Sequence, residues 1–271
     1  MNVSAMLMVV LAAAGQAATS GAAGRQASHP SSKGLEELKQ AAARYRIATA
    51  TDPPRELTAA REPVLSWTNP LRSTHAGASF IWVAEGRPEA IASLYRFNEG
   101  GRIVEDHEFQ SLATVGLSAT RDGAAIWTPQ AAGMTLAPIP GAPGPAASPA
   151  ERLRQMRALA QEFHAFFDNA DDHSELRLLT QPLYRYQPNR PDLVDGALFA
   201  FVVTTDPEVL LMIEARPLDG KPAWHYGFAR MSMVNLRAQH KDRDVWRVEW
   251  AVDLQDPIKP YFTTRAPDRS E

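Results

Sequence analysis

Gly77-Ala78-Ser79-Phe80-Ile81-Trp82-Val83 is followed, after four residues, by Pro88-Glu89, and the chain repeats this arrangement further on. The second occurrence is Gly196-Ala197-Leu198-Phe199-Ala200-Phe201-Val202, again followed after four residues by Pro207-Glu208. The offset from Gly77 to Gly196 is 119 residues, and it also relates Phe109 to Phe228 and Trp127 to Trp246. Because self-similarity at a fixed period indicates a repeated structural unit, the sequence predicts a tandem duplication.

Each predicted repeat begins with a helix and continues as strands. Apolar residues recur at helical spacing of three and four at Leu35, Leu38, Ala42, Tyr45 and Ala48, and again at Leu153, Met156, Ala160, Phe163 and Phe167. Downstream of both stretches the period changes to two, which is typical of strands separated by turns. We therefore expect repeat 1 at residues 33–136, a proline-rich linker at 137–149 and repeat 2 at 150–252.

The order of elements predicts an α+β fold in which a helix lies across an antiparallel β-meander in each repeat. This order is analogous to that of the cystatin and nuclear-transport-factor-2-like folds, and such folds host many unrelated functions. Two copies in one chain predict a pseudo-dimer. The run Val209-Leu210-Leu211-Met212-Ile213 is apolar on both faces, so its strand should be central and covered twice.

Composition excludes several classes of protein. The chain has 271 residues, a formal net charge of −3 and no cysteine. The charge gives no basic surface for nucleic acid, and the lack of cysteine excludes disulfides and thiolate metal ligands. Stability must therefore come from core packing.

The N-terminus predicts export to the periplasm or the extracellular space. Residues 5–14 are a short apolar stretch, and Gly15-Gln16-Ala17 fits the small-x-small cleavage rule. We expect a signal peptide at residues 1–17, a flexible leader at 18–32, a polar C-terminal tail at 253–271 and no membrane span after cleavage. No Lys or Arg precedes the apolar stretch, which leaves a disordered Ala-rich tail as the alternative.

Three phrases carry a resemblance to a family. They are Gln155-Met156-Arg157-Ala158-Leu159-Ala160, Leu183-Tyr184-Arg185-Tyr186, and the stretch from Asp195 through Val202 with Thr205-Asp206-Pro207-Glu208-Val209-Leu210-Leu211. Over about residues 60–250, the chain resembles uncharacterised exported proteins of planctomycete bacteria. The resemblance implies export and implies no activity or catalytic residue.

The strongest candidate binding residues lie in one predicted strand and at its counterpart. Strand alternation places Glu105 and His107 on one face, where they could position a proton acceptor or offer two ligands to a metal. At the offset of 119 residues, Trp224 is the counterpart of Glu105 and Tyr226 is the counterpart of His107 in the second repeat. A polar outer strand face is the simplest interpretation, and a ligand-facing wall made of Glu105, His107, Trp224 and Tyr226 is the functional one.

Signatures of catalysis and of cofactor binding are missing from the sequence. The chain has no Gly-x-Ser-x-Gly or Ser-x-x-Lys motif. No glycine-rich phosphate loop follows a strand, and the histidines lack the spacing of metal ligands. We expect no cofactor, no metal site and no assigned catalytic residue.

The tryptophans and the candidate strand leave two functional interpretations. Trp127 and Trp246 are equivalent and should be core residues, whereas Trp224 and Trp250 have no equivalent tryptophan and are candidates for a groove. The first interpretation is an exported, non-catalytic module that binds a ligand, a partner protein or an envelope polymer on a concave sheet. The second is a small hydrolase-like or lyase-like enzyme with His107 as base.

Overall fold

The computed structural model describes residues 30–188, 190 and 192–267. The predicted signal peptide at residues 1–17 and nearly all of the leader at 18–32 lie outside the described residues. Within the described ranges, no helix combines the length and the apolar character needed to cross a membrane.

Both halves of the described chain begin with a helix and continue as strands. The first half contains α1 (Ser32–Ala42), β1 (Tyr45–Thr49), β2 (Thr58–Ala59), β3 (Leu65–Asn69), β4 (Thr74–Ala84), β5 (Arg87–Glu99), β6 (Arg102–Ser111), β7 (Leu117–Arg121) and β8 (Ala124–Trp127), and β9 (Ala137–Pro138) follows in the linker. The second half contains α2 (Pro149–Ala160), β10 (Phe163–Phe167), β11 (Glu175–Leu178), β12 (Tyr184–Tyr186), β13 (Asp195–Val203), β14 (Asp206–Leu218), β15 (Lys221–Arg230), β16 (Leu236–His240) and β17 (Arg243–Val248), and β18 (Tyr261–Arg265) lies in the tail.

The predicted α+β fold of helix-plus-meander units is wrong. Strands hold 52% of the described residues and helices 11%, so the protein is mostly β with large curled sheets. The analogy with cystatin-like and nuclear-transport-factor-2-like folds is lost with it.

Both helices end earlier than the apolar spacing predicts. α1 ends at Ala42 and α2 at Ala160, and strands follow at Tyr45 and Phe163. In these strands alternate residues are buried. Apolar residues that fit a helical stripe can also fit strand alternation, so the stripe hid a strand in each half.

The strands follow equivalent orders in the two halves. In the second half the order is β17-β16-β10-β11-β13-β14-β15-β9, with β12 also paired to β13. In the first half it is divided between a sheet β8-β7-β1 and a sheet β2-β4-β5-β6-β18, with β3 paired to β4. A hydrogen bond from Leu57 N to Ile47 O, 2.8 Å long, connects the two first-half sheets.

The offset of 119 residues also relates the pairing registers. Phe80 pairs with Ala92 as Phe199 pairs with Leu211. Ala119 pairs with Trp127 as Ala238 pairs with Trp246. Equivalent positions in the two halves can therefore be compared residue by residue.

The glycine that opens each repeated stretch has a packing role. A Cβ at Gly77 would lie 2.4 Å from the Trp67 ring, and a Cβ at Gly196 would lie 2.4 Å from the Tyr186 ring. Since real Cβ atoms do not approach other atoms so closely, an aromatic ring on the neighbouring strand requires glycine at both positions.

Strand alternation divides the repeated stretch between two hydrophobic cores. Phe80 and Trp82 face a core belonging to the first half, and Phe199 and Phe201 face a core in the second. The intervening Ile81 joins residues of both halves in a third core between the sheets. The prediction for the run 209–213 is confirmed, because its strand β14 is central and its side chains alternate between the second and third cores.

The strand in the linker and the strand in the tail each pair with the half opposite to the one that they follow in sequence. β9 follows the first half but pairs with β15 of the second, and β18 follows the second half but pairs with β6 of the first. The segment predicted as a polar tail thus contains a strand at Tyr261–Arg265. Pro257 and Pro260 precede this strand, so they do not interrupt its hydrogen bonds.

Candidate functional site

Glu105 and His107 lie on β6 and belong to a buried polar chain. His107 has no exposed surface. Its Nδ1 lies 2.5 Å from the Tyr45 hydroxyl, and its Nε2 lies 2.9 Å from Glu105 Oε1. Arg96 Nε donates to the other carboxylate oxygen of Glu105 at 2.7 Å, so both ring nitrogens of His107 and both carboxylate oxygens of Glu105 have protein partners.

The pKa values indicate which of Tyr45, His107 and Glu105 carries a proton. Burial lowers the pKa of His107 and raises that of Tyr45 to about 12. Burial opposes ionisation of Glu105, but hydrogen bonds from His107 and Arg96 outweigh it and bring the pKa to about 2. Because the ionised carboxylate can only accept, a neutral His107 donates from Nε2 to Glu105 and accepts from Tyr45 at Nδ1.

Trp224 and Tyr226 lie on β15 and belong to the other half's core. Trp224 is 1% exposed. The Tyr226 ring contacts Phe163 and Phe228, with ring centroids 5.0 and 5.9 Å apart. His107 contacts Tyr45 in the first-half core region, so the structure does not bring the four predicted binding residues together in one wall.

An open cleft of about 300 Å³ lies where β15, β17, the tail and the chain between β8 and β9 meet. Its apolar lining comes mainly from Phe228, Trp246, Val248, Val252 and Tyr261. The Phe228 and Trp246 rings are stacked with centroids 5.6 Å apart. Volumes of this size are at the lower end for small-molecule sites, so the cleft can take a small or narrow ligand.

The tryptophan assignment holds for Trp127, which is buried in the core, and is wrong for Trp246 and Trp224. Trp246, expected in the core, is half-buried and lines the cleft, whereas Trp224, expected in a groove, is buried. Trp250 is 40% exposed. Sequence reasoning missed the cleft because it needs the tail to return to the first half, and no local pattern reports that return.

The polar groups of the cleft are held by the protein's own backbone. Arg230 donates to the carbonyls of Ser232 and Val234 at 2.7 Å and of Glu249 at 2.9 Å. Its guanidinium also lies 5.1 Å from the centroid of the Tyr261 ring. Lys259 Nζ donates to Val252 O at 3.0 Å. These contacts engage the cationic groups of Arg230 and Lys259, so a ligand in the cleft would meet mainly Trp246 and the apolar residues beside it.

A cluster of carboxylates lies behind Tyr261, between the two halves. The Tyr261 hydroxyl donates to Glu108, and Arg72 Nη1 lies 2.7 Å from Glu208 and 3.1 Å from Asp206. Burial raises the pKa of Glu108 to about 8 and that of Glu208 to about 7. Sequence reasoning missed this cluster, although the Pro-Glu pair recurring inside apolar strands was a usable signal.

A second ion-pair cluster joins the halves elsewhere. Arg87 Nε donates to Glu214 and its Nη1 to Glu89, both at 2.7 Å. The Tyr186 hydroxyl donates to Glu214 at 2.6 Å. In the part of the chain that the structure describes, no group of three or more His, Cys, Asp or Glu side chains is arranged to hold a metal ion.

Comparison of the chain with protein families, with curated proteins and with solved structures finds no match. The resemblance to exported planctomycete proteins stays a prediction.

Proposed function

We propose that this protein is an exported binding module whose ligand occupies the cleft between β15, β17 and the tail. The observation that supports the proposal is the half-buried Trp246 that lines the cleft, stacked on the buried ring of Phe228. Large, rigid aromatic surfaces bind at low cost in conformational entropy, and tryptophan is enriched at binding hot spots.

The rim of the cleft favours binding of an apolar partner. Val252, which lines the cleft beside Trp246, is 64% exposed. A single exposed apolar residue needs no explanation, but one that adjoins a partly exposed tryptophan in a cleft indicates an interaction surface.

The enzyme interpretation has less geometric support. It requires His107 to act as a base on a substrate, but the imidazole has no exposed surface and both ring nitrogens already have partners. A base must reach the proton that it removes. Substrate would therefore have to displace Tyr45 or Glu105 from the imidazole.

The cleft is tested by binding of the dye 1-anilinonaphthalene-8-sulfonate to the full chain, followed by fluorescence. We expect Trp246→Ala to weaken binding about tenfold or more, the range of an aromatic hot spot. Trp250→Ala is the matched control, since it removes an exposed tryptophan that does not line the cleft. Equal binding by wild type and Trp246→Ala would contradict the proposal.

Export is tested separately, by the mass of the protein recovered outside the cytoplasm of a bacterial host. Cleavage after Ala17 would leave a chain that begins at Ala18. Recovery of the uncleaved chain in the cytoplasm alone would contradict export and leave the binding proposal standing.

A further inference from the structure

The first half contains a filled groove at the position equivalent to the open cleft. Trp127, the counterpart of Trp246, has no exposed surface. Its indole Nε1 donates to Lys259 O at 2.8 Å. Thr128 N donates to Pro257 O at 2.7 Å, and Gln130 N donates to Ile258 O at 3.3 Å. The first groove is thus occupied by an extended segment of the protein's own tail, residues 257–260.

The second half has donors at the equivalent positions, where no segment like residues 257–260 lies among the described residues. In the first half, Leu117 N of β7 donates to Pro129 O, so the backbone carbonyl of Pro129 points toward β7. The backbone N–H groups of Thr128 and Gln130 therefore point away from β7, toward the tail. The equivalent pair Leu236 and Val248 lies in register on β16 and β17. By the alternation of an antiparallel ladder, Arg247 N–H faces outward. No described strand pairs with that outer side of β17.

The chain between β8 and β9 explains why the second groove is open among the described residues. Gly133 N donates to Ala113 O at 2.9 Å, which draws this segment onto the first half. A Cβ at Gly133 would lie 2.0 Å from Ser111 O, so this crossing requires glycine. The chain between β8 and β9 therefore leaves the Trp246 side uncovered, with Gly133 at the border of the cleft.

We propose that the cleft binds an extended polypeptide segment of another protein, laid along the outer edge of β17 and carrying proline and aliphatic residues. One carbonyl of the segment accepts from the Trp246 indole N–H, and another accepts from Arg247 N–H. This inference rests on the proposed function, and the tail in the first groove supplies its chemistry. Adding a strand to a sheet edge is a recurring mode of peptide recognition.

Proline suits such a segment for a physical reason. The bound tail offers carbonyls to the groove through Pro257, Ile258 and Lys259. Proline has no N–H to satisfy and its φ is already restricted, so less conformational freedom is lost on binding.

The test is fluorescence anisotropy with a labelled peptide of the tail sequence Asp256-Pro257-Ile258-Lys259-Pro260-Tyr261, titrated with the full chain. We expect Trp246→Ala to weaken binding about tenfold or more. Trp246→Phe keeps a ring but removes the donor, and should weaken binding about fivefold, the value of one net hydrogen bond. Trp250→Ala should bind within about twofold of wild type, because surface changes away from a site have small effects.

Two further controls locate the peptide. A peptide with both prolines changed to alanine should bind more weakly than the parent. Trp127→Phe should leave peptide binding unchanged, whereas weakening by Trp127→Phe but not by Trp246→Ala would show exchange with the tail in the first groove and overturn the inference.

The remaining outcomes separate this inference from the proposed function. Dye binding that depends on Trp246, without peptide binding, would overturn the polypeptide and keep the cleft as a ligand site. Loss of both would overturn both proposals. Dimerisation of the protein alone, abolished by Trp246→Ala in sedimentation experiments, would assign the cleft to a second copy of this chain and overturn a foreign segment.

Discussion

Trp127 and Trp246 occupy the same register position in the two halves, yet the side chain of Trp127 is buried and that of Trp246 is partly exposed. Each pairs with an alanine on the preceding strand, and each contacts a phenylalanine ring, with centroids 5.5 and 5.6 Å apart. Their exposure differs because the tail covers Trp127, whereas the chain between β8 and β9 does not cover Trp246. The repeat thus determines which strand position each tryptophan occupies. Whether its ring is buried by packing or stays exposed to a ligand depends on a segment that is distant in sequence.

Replacement of the two tryptophans should give the largest contrast in stability. We expect Trp127→Ala to reduce the free energy of unfolding by ~3–5 kcal/mol, as for a fully buried large side chain. Trp246→Ala should cost less, ~1–2 kcal/mol, because a half-buried side chain loses less apolar area. Chemical denaturation measures both values, and equal losses would indicate that the second groove is closed in solution.

Stability should also depend on pH through a carboxylate found in the first half alone. Glu108 has a raised pKa of about 8, and Gly227 stands at the equivalent position. The folded state holds this proton after the unfolded state has lost it. Stability is therefore fully present below the unfolded pKa of about 4.3 and declines as pH rises toward 8.

The slope is at most ~1.4 kcal/mol per pH unit for each proton retained. Urea denaturation between pH 5.5 and 8 should show a smaller decline for Glu108→Gln than for wild type. Glu249→Gln, which changes an exposed carboxylate, is the control and should keep the wild-type slope. The same slope in wild type and Glu108→Gln would refute a proton on Glu108.

A smaller contrast concerns the polar pair in the first core. Tyr45 pairs with Arg121 as Phe163 pairs with His240, so Tyr45 and His107 correspond to Phe163 and Tyr226. Tyr45→Phe should cost ~1–2 kcal/mol, because it leaves the buried Nδ1 of His107 without a donor. Tyr226→Phe should stay within ~0.5 kcal/mol. Thermal unfolding compares them, and a neutral Tyr45→Phe would show that the hydrogen bond contributes nothing net.

The sequence predicted register better than it predicted element class. The repeated glycines, the Pro-Glu pairs and Phe109 with Phe228 identified equivalent positions because each is required by local packing. The assignment of Tyr45 and Phe163 to helices failed because their spacing fits both periods, and that error also hid the partner of His107. Only three-dimensional proximity could reveal that partner, since Tyr45 is 62 positions away along the chain.

The candidate site was less predictable than the strands. Glu105 and His107 were recognised as a pair, but their burial depends on Tyr45 and Arg96 arriving from other elements. The cleft depends on the route of the tail beyond residue 252, where the sequence shows prolines and charges and no apolar period. Pattern reasoning reports which side chains share a strand face, and it does not report what covers that face.

The exchange of β9 and β18 makes the two halves mutually dependent in folding. Each half receives a strand on its β6 or β15 edge from chain that leaves the opposite half, so separating the halves removes main-chain hydrogen bonds from both sheets at once. Cleavage in the linker would not release two autonomous units, because each would leave with the other's closing strand. The halves should therefore unfold in a single calorimetric transition, and two resolved transitions would show that the exchanged strands do not couple them.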